Sequence, residues 1–212
     1  LGDRNTNFFH MYALARRKKN TIKSLQDENG VVQEGQAEME KIVQNYFTNL
    51  FTSQVNIPNE EVIQKVVPKV SVQMNEALLA PFTKEDVRRA LFSIGDFKAP
   101  GPDGFNGLFF KKCWPIISKD FIALAQEFFD GSAHLANLNS SYITLIPKKL
   151  APEGVGDYRP LSLTGMGVKF LSKMAANRLQ GDILNCVHKN QYGFIKSRTI
   201  QDCVGWTLEY IH

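Results

Sequence analysis

Apolar and polar positions along most of this sequence recur with the period of amphipathic helices. Apolar residues at spacings of three and four predict several such helices, one of them long. Thr83, followed three positions later by an acid, marks one helix start. The predicted helices are residues 6–19, 35–51, 83–94, 107–113, 116–130, 166–184 and 200 to the end of the sequence.

Extended segments are few. Residues 142–146 are rich in β-branched side chains and end at Pro147, and residues 158–163 form a second extended run after a polar turn. A shorter hairpin is predicted over residues 22–32, turning at Asn29-Gly30. Residues 52–81 are loosely patterned and predict a linker with room for one short helix. The expected fold class is therefore helix-rich α+β with a small antiparallel sheet.

Lys98 to Gly104 cannot adopt regular structure. The segment holds two prolines and two glycines within seven residues. Because proline fixes φ and removes a donor while glycine permits unusual backbone angles, this composition predicts a shaped turn.

Charge is distributed unevenly along the chain. The formal net charge of the 212 residues is only +4, but residues 1–24 carry +5 and residues 148–198 carry +6, with an acidic stretch between them. Two basic zones are compatible with a polyanion bound at two places. Solvated helix faces would give the same pattern, so charge alone leaves both interpretations open.

Three cysteines, at positions 113, 186 and 203, are widely spaced and form no C-x-x-C pair. This spacing argues against a disulfide framework or a zinc site and predicts reduced thiols with no disulfide-linked partner. The sequence holds no apolar run long enough for a membrane helix. We therefore expect an intracellular protein, in the nucleus or the cytoplasm, that has no membrane partner.

The extended segments carry cations where they meet. Lys148 and Lys149 end the first, and Arg159 begins the second. If the segments pair, the cations approach one end of a hairpin, where an Arg fork and Lys point charges suit phosphate groups. An exposed hairpin with charged, soluble ends is an equal alternative at this point.

Five strings follow one another along the chain: residues 2–10 (GDRNTNFFH), 98–105 (KAPGPDGF), 146–148 with 157–163 (IPK and DYRPLSL), 169–179 (KFLSK and NRL) and 190–202 (NQYGFIKSRTIQD). In this order they resemble the reverse transcriptases of LINE-type, non-long-terminal-repeat retrotransposons in the form common in plants. The first resembles the segment that joins the endonuclease to the polymerase, and the second resembles the family's entry motif. The third resembles the fingers motifs, the fourth the long fingers helix, and the fifth the motif just before the first palm strand.

The resemblance implies a division of the chain at about residue 92. Residues 1–92 would link endonuclease to polymerase, and residues 93–212 would form the fingers and the edge of the palm, an incomplete right-hand polymerase fold. It also implies site residues: Lys148 and Arg159 would bind nucleotide phosphates, and Lys98, Gly101, Gly104, Gln191, Phe194 and Arg198 would bind the template. In the alternative, Phe194 is a core residue and Arg198 pairs with an acid. The resemblance would also allow Lys169, Lys173 and Arg178, on the long helix, to face phosphates, but for each of them solvation is the favoured interpretation.

Family enzymes use palm carboxylates that hold Mg²⁺, and the sequence contains no Asp-Asp pair. We therefore predict no catalytic or metal-binding residue, no cofactor bound by this chain, and no polymerisation by it alone. Expected partners are an RNA template, a DNA primer or RNA–DNA duplex and, in the intact enzyme, deoxynucleotides. The alternative is a non-catalytic nucleic-acid-binding module, or an inactive relic, derived from such an element.

Overall fold

The structure, a computed structural model, describes residues 7–53, 60, 64 and 69–211. The first string, residues 2–10, and the predicted linker, residues 52–81, therefore lie partly outside the described residues. Within the described part, none of the helices combines the length and apolar character that crossing a bilayer requires.

Helices dominate the described residues, and the strands are short, which confirms the helix-rich α+β class. The helices are α1 Asn7–Asn20, α2 Gln36–Phe51, α3 Val72–Leu78, α4 Lys84–Phe92, α5 Gly107–Lys112, α6 Trp114–Phe129, α7 Leu135–Leu138, α8 Met166–Leu179, α9 Ile183–Cys186 and α10 Ile200–Ile211. The strands are β1 Leu25–Gln26, β2 Val32–Gln33, β3 Ser141–Pro147 and β4 Tyr158–Thr164, and a 3₁₀ turn, Val155–Asp157, leads into β4.

The strands form two separate two-stranded antiparallel sheets, β1–β2 and β3–β4. In the first sheet Leu25 lies opposite Gln33, and the Asp27 carboxylate accepts the main-chain N–H groups of Asn29 and Val31 across the turn, both at 2.9 Å. Both predicted hairpins are therefore present.

The long predicted helix 166–184 is wrong at its end. Helix α8 ends at Leu179, and a turn in which the Asp182 N–H donates to the Leu179 oxygen separates it from α9. Gly181 lies in that turn, and glycine is a poor helix former because of its backbone entropy.

The chain divides into two compact units. Unit 1 takes the described residues of Leu1–Pro58 together with Ile143–Ser162, and unit 2 takes those of Asn59–Tyr142 together with Leu163–His212. The resemblance implied a different kind of boundary, between two functional segments at about residue 92, and that boundary stays a prediction.

Unit 1 is built around a small apolar cluster. Leu25 and Phe47 are buried against Val155 and Tyr158, and partly buried side chains such as Ile22 pack around them. The N-terminal hairpin, α2 and the 143–162 segment thus share one core.

Unit 2 has the larger core, formed by three helices. The buried residues are Val87, Ala90, Leu91 and Ile94 around α4, Phe121 and Ala125 of α6, and Met166, Phe170, Leu171 and Met174 of α8. The Phe121 and Phe170 rings meet edge to face, with their centroids 4.9 Å apart. Thr83 caps α4 as predicted, because its hydroxyl accepts the Asp86 N–H while the Asp86 carboxylate accepts the Thr83 N–H.

Candidate nucleic-acid interface

The end of the β3–β4 hairpin holds Lys148 by two contacts. Its main-chain N–H donates to the Asp157 oxygen at 2.8 Å, and its Nζ donates to the Gly156 oxygen at 2.7 Å. The side chain is nevertheless exposed. An ammonium group has three donors, so this bond orients the charge and leaves further donors for a ligand.

Asp157 braces the turn of the same hairpin. Its carboxylate accepts the Glu153 N–H at 2.9 Å and the Gly154 N–H at 3.3 Å, and it pairs with the Lys149 ammonium at 2.9 Å. The Glu153 N–H and the Lys149 ammonium together lower the pKa of Asp157 to about 2. Asp157 in turn raises the pKa of Lys149. The brace therefore keeps both charges in place at neutral pH.

Arg159 lies two residues along β4 from Asp157, the residue opposite Lys148. Tyr158, the first residue of β4, is buried in the unit 1 core, and the next residue, Arg159, is exposed. Strands β3 and β4 are paired, which is the condition under which the sequence predicted that these cations approach one end of a hairpin. Their role in binding nucleotide phosphates stays a prediction.

The predicted turn at Lys98–Gly104 belongs to unit 2 and packs against the start of α8. Gly101 is buried, and a Cβ atom there would overlap the main chain of Thr164 and Gly165. Gly104 has a φ of +74°, which disfavours other residues, and its N–H donates to the Gly101 oxygen at 3.0 Å. Lys98 is exposed at the beginning of the turn.

Long-range contacts fix this turn. The Asp103 carboxylate accepts the Met166 N–H at the first residue of α8, and the Lys169 Nζ donates to the Ala99 oxygen at 2.8 Å. Solvation of Lys169, which the sequence favoured, is therefore wrong. The sequence did not predict these two contacts, because the partners of Asp103 and Lys169 lie 63 and 70 residues away along the chain.

Arg198 closes the loop before α10. Its Nη1 donates to the main-chain oxygens of His188 at 2.6 Å and Gln191 at 2.7 Å, and the Gln191 side chain donates to the Gly193 oxygen at 3.3 Å. These bonds contradict the alternative in which Arg198 pairs with an acid, because both acceptors are main-chain carbonyl oxygens. The guanidinium therefore ties together the backbone of the loop.

Phe194 lies at the tip of this loop in an unusual conformation. Its φ is +64°, and its side chain is fully exposed. The alternative that Phe194 is a core residue is therefore wrong, and the neighbouring Ile195 is the buried residue. A bulky residue with positive φ is rare and costs conformational energy, and such strain tends to occur at functional sites.

The predicted phosphate-binding residues lie in unit 1, and the predicted template-binding residues lie in unit 2. Within the part of the chain that the structure describes, no group of three or more His, Cys, Asp or Glu side chains could hold a metal ion. The predicted absence of a metal site stays a prediction.

Comparison with known proteins bears on the origin of the chain. It is similar to a 149 kDa protein of transposon TX1 from Xenopus laevis, with 28% identity over 213 aligned residues. The similarity covers 99% of this chain but only 16% of the frog protein, so the chain spans about one sixth of that relative's length. No protein-family model matches the chain. The relative supports a transposable-element origin.

Proposed function

We propose that this chain is the fingers part, with the segment before it, of a reverse transcriptase from a LINE-type retrotransposon. In this role it contacts template and nucleotide phosphates and does not polymerise alone. The observation that carries the proposal is the braced hairpin, which holds Lys148 by the main-chain oxygens of Gly156 and Asp157 and exposes Arg159. Similarity to a transposon protein along 99% of the chain supports the same origin.

The hairpin cations suit phosphate recognition. Arg159 offers a planar fork that can donate two parallel bonds to a phosphate, while Lys148 offers a point charge held by the Gly156 oxygen. Because Lys149 is paired with Asp157, we assign the phosphate contacts to Lys148 and Arg159. In the intact enzyme, Mg²⁺ held by palm carboxylates would supply the chemistry.

The template contacts are proposed for unit 2. The Lys98–Gly104 turn brings main chain to the surface in a fixed shape, and the 188–198 loop exposes Phe194. An exposed ring can stack on a base of any sequence. Arg198 is then a positioning residue, because its guanidinium holds the loop that carries Phe194.

Binding to a primer–template tests the proposal. We expect a labelled RNA template with a recessed DNA primer to bind at low salt and to dissociate as salt rises, because phosphate contacts displace counterions. Arg159→Gln and Lys98→Gln should each weaken binding, whereas Lys112→Gln and Lys119→Gln, at other exposed positions, should not. Absence of binding at low salt, or equal loss in all four variants, would contradict the proposal.

Primer extension tests the catalytic half of the proposal. On poly(rA) with oligo(dT) and Mg²⁺, the purified chain should incorporate no deoxynucleotide above a no-protein control, because the sequence lacks the paired aspartates. Appreciable incorporation would show that the chain polymerises by itself.

A non-catalytic nucleic-acid-binding module is the second candidate, favoured by the net charge of +6 over residues 148–198. It predicts equal affinity for single-stranded RNA and for a primer–template junction. A reverse-transcriptase fragment should prefer the junction, so the ratio of the two dissociation constants separates the candidates.

A further inference from the structure

A cleft of about 820 Å³ in unit 1 joins the N-terminal segment to the β3–β4 hairpin. One wall comes from the end of α1 and the residues that follow it, and the other comes from the end of β3 and the turn after it. The cleft is lined by Arg16, Lys18, Asn20, Thr21, Ile22, Lys23, Ser24, Ile146, Pro147, Lys148, Lys149, Leu150, Pro152 and Tyr158.

Both walls are anchored to the unit 1 core. Ile22 packs against the cluster that contains Leu25 and Tyr158, and the Thr21 hydroxyl donates to the Arg17 oxygen at the end of α1, at 2.7 Å. On the opposite wall, Tyr158 is itself a member of that cluster, and Lys148 is held by the Gly156 oxygen. The cleft is therefore part of the folded unit.

The charge of the cleft has one sign. Five of its lining residues are cationic, and among the described residues that line it there is no Asp or Glu. Asp157, which does not line the cleft, pairs with Lys149 and offsets one positive charge. Like charges close together repel one another, and an anion that neutralises several of them at once relieves the repulsion.

We propose that this cleft binds the phosphate backbone of a single-stranded nucleic acid. A single phosphate needs far less than five cations, whereas successive phosphates of a strand can use cations on both walls. Between the cations lie apolar surfaces of Ile22, Ile146 and Leu150, against which base faces can rest. Proteins that hold single strands without reading their sequence usually combine a cationic groove with aromatic side chains on which the bases stack. In this cleft the aliphatic surfaces of Ile22, Ile146 and Leu150 take the place of those rings.

Binding of a single strand gives a role to Arg16, Lys18 and Lys23, which have none in the proposed function. It holds whether or not the parent protein copies RNA, because it depends only on the geometry and charge of unit 1. Equal affinity for single strand and junction, or deoxynucleotide incorporation in the primer-extension assay, would contradict the proposed function and leave this inference standing.

The experiment compares two triple variants that remove equal charge. Arg16→Gln/Lys18→Gln/Lys23→Gln removes three cations of the cleft, and Arg17→Gln/Lys41→Gln/Lys119→Gln removes three exposed cations that lie outside it. Arg17 is the sharpest control, because it lies between two cleft residues on the same helix. The probe is labelled single-stranded RNA of about 20 nucleotides. Its binding is titrated at NaCl concentrations between about 0.05 and 0.3 M.

For the cleft variant we expect affinity at 0.1 M salt to fall at least about tenfold, and the slope of log K against log salt to become shallower by about 2, roughly 0.7 per lost contact. The control triple should keep the wild-type slope. A charge-preserving variant, Arg16→Lys/Lys18→Arg/Lys23→Arg, should bind like the wild type, and unchanged urea unfolding shows that each variant folds.

Three results would overturn the inference. The first is equal loss in the cleft and control triples, which would make binding a matter of net charge. The second is unchanged RNA binding in the cleft variant. The third is a cleft variant that loses only binding to vesicles of anionic lipid, which would make the site a membrane contact.

Discussion

The guanidinium of Arg178 lies over the ring of Phe82, with its central carbon 3.4 Å from the ring centroid. The same group donates to the main-chain oxygens of Leu78 and Pro81, both at 3.3 Å, and of Ala80. A residue of α8 thus satisfies the oxygen of Leu78, the last residue of α3, where a helix leaves its final acceptors without partners, and two oxygens in the segment that follows. The solvation that the sequence favoured for Arg178 is wrong.

Arg178→Ala should lower the free energy of unfolding by roughly 1–3 kcal/mol, because it removes a cation–π contact and charge-assisted bonds to three carbonyls. Arg178→Lys should recover only part of the loss, since one ammonium cannot match the planar fork. Urea unfolding measures both. Arg88→Ala is the matched control: this exposed residue also lies over a ring, that of Phe92, and should change stability by less than about 0.5 kcal/mol.

Gly101→Ala should destabilise unit 2 by roughly 2 kcal/mol or more, because the new methyl group would overlap the main chain at Thr164 and Gly165. Gly154→Ala provides the control, since a Cβ atom there meets nothing within 4 Å and its φ of −111° suits any residue. Thermal unfolding compares the two variants. Equal melting temperatures would mean that the turn does not approach α8 as closely as described.

Asp157→Asn should change the response to acid. The folded-state pKa of about 2 lies below the ordinary value of 3.8, so the ionised carboxylate stabilises the fold above about pH 4. That contribution disappears as the pH falls toward 2. Between pH 5 and 2 the wild type should therefore lose more stability than Asp157→Asn, which is less stable at neutral pH. Parallel stability curves for the two proteins would contradict the brace.

The same substitution should act on Lys149. Its pKa is raised mainly by the bond to Asp157, so in Asp157→Asn the pKa of Lys149 should move back down toward 10.5. Side-chain NMR titration measures this shift directly. An unchanged Lys149 titration would show that the ion pair does not persist in solution.

Arg198→Gln should loosen the loop between α9 and α10. Without the two bonds from Nη1 to the His188 and Gln191 oxygens, the loop should open more often, and a lysine-specific protease should cleave after Lys189 or Lys196 several-fold faster. Arg17→Gln, on α1, should leave the rate unchanged. Equal cleavage rates in all three proteins would mean that Arg198 does not hold the loop.

Phe194→Asn should raise stability while weakening RNA binding. Asparagine tolerates a φ of +64° better than phenylalanine, and the exposed ring buries little surface, so a gain of about 1 kcal/mol is expected. Urea unfolding and RNA titration provide the two readouts. A variant that loses stability would show that the ring packs in the folded chain.

Local patterns in the sequence predicted the elements well. The Thr83 cap, the β3–β4 hairpin and the shaped turn at Lys98–Gly104 all follow from residues within a few positions of one another. Helices α7 and α9 were missed because each has only four residues, too few to show a helical period.

The contacts that hold the candidate sites could not be predicted in the same way. Asp103 accepts a bond from a main-chain N–H, and Lys169 and Arg178 donate to main-chain oxygens, all 63 to 100 residues away. A main-chain partner leaves no mark in the sequence, because every residue has one. Asp157 was closer to prediction, since its partners Glu153 and Gly154 precede it by four and three residues.

The composition of unit 1 has a consequence for the order of folding during synthesis. Leu25 and Phe47 are synthesised more than a hundred residues before Val155 and Tyr158, which complete their cluster. A nascent chain that has emerged only as far as residue 142 therefore exposes the apolar faces of β1 and α2. Until the hairpin leaves the ribosome, that surface is open to chaperones or to aggregation.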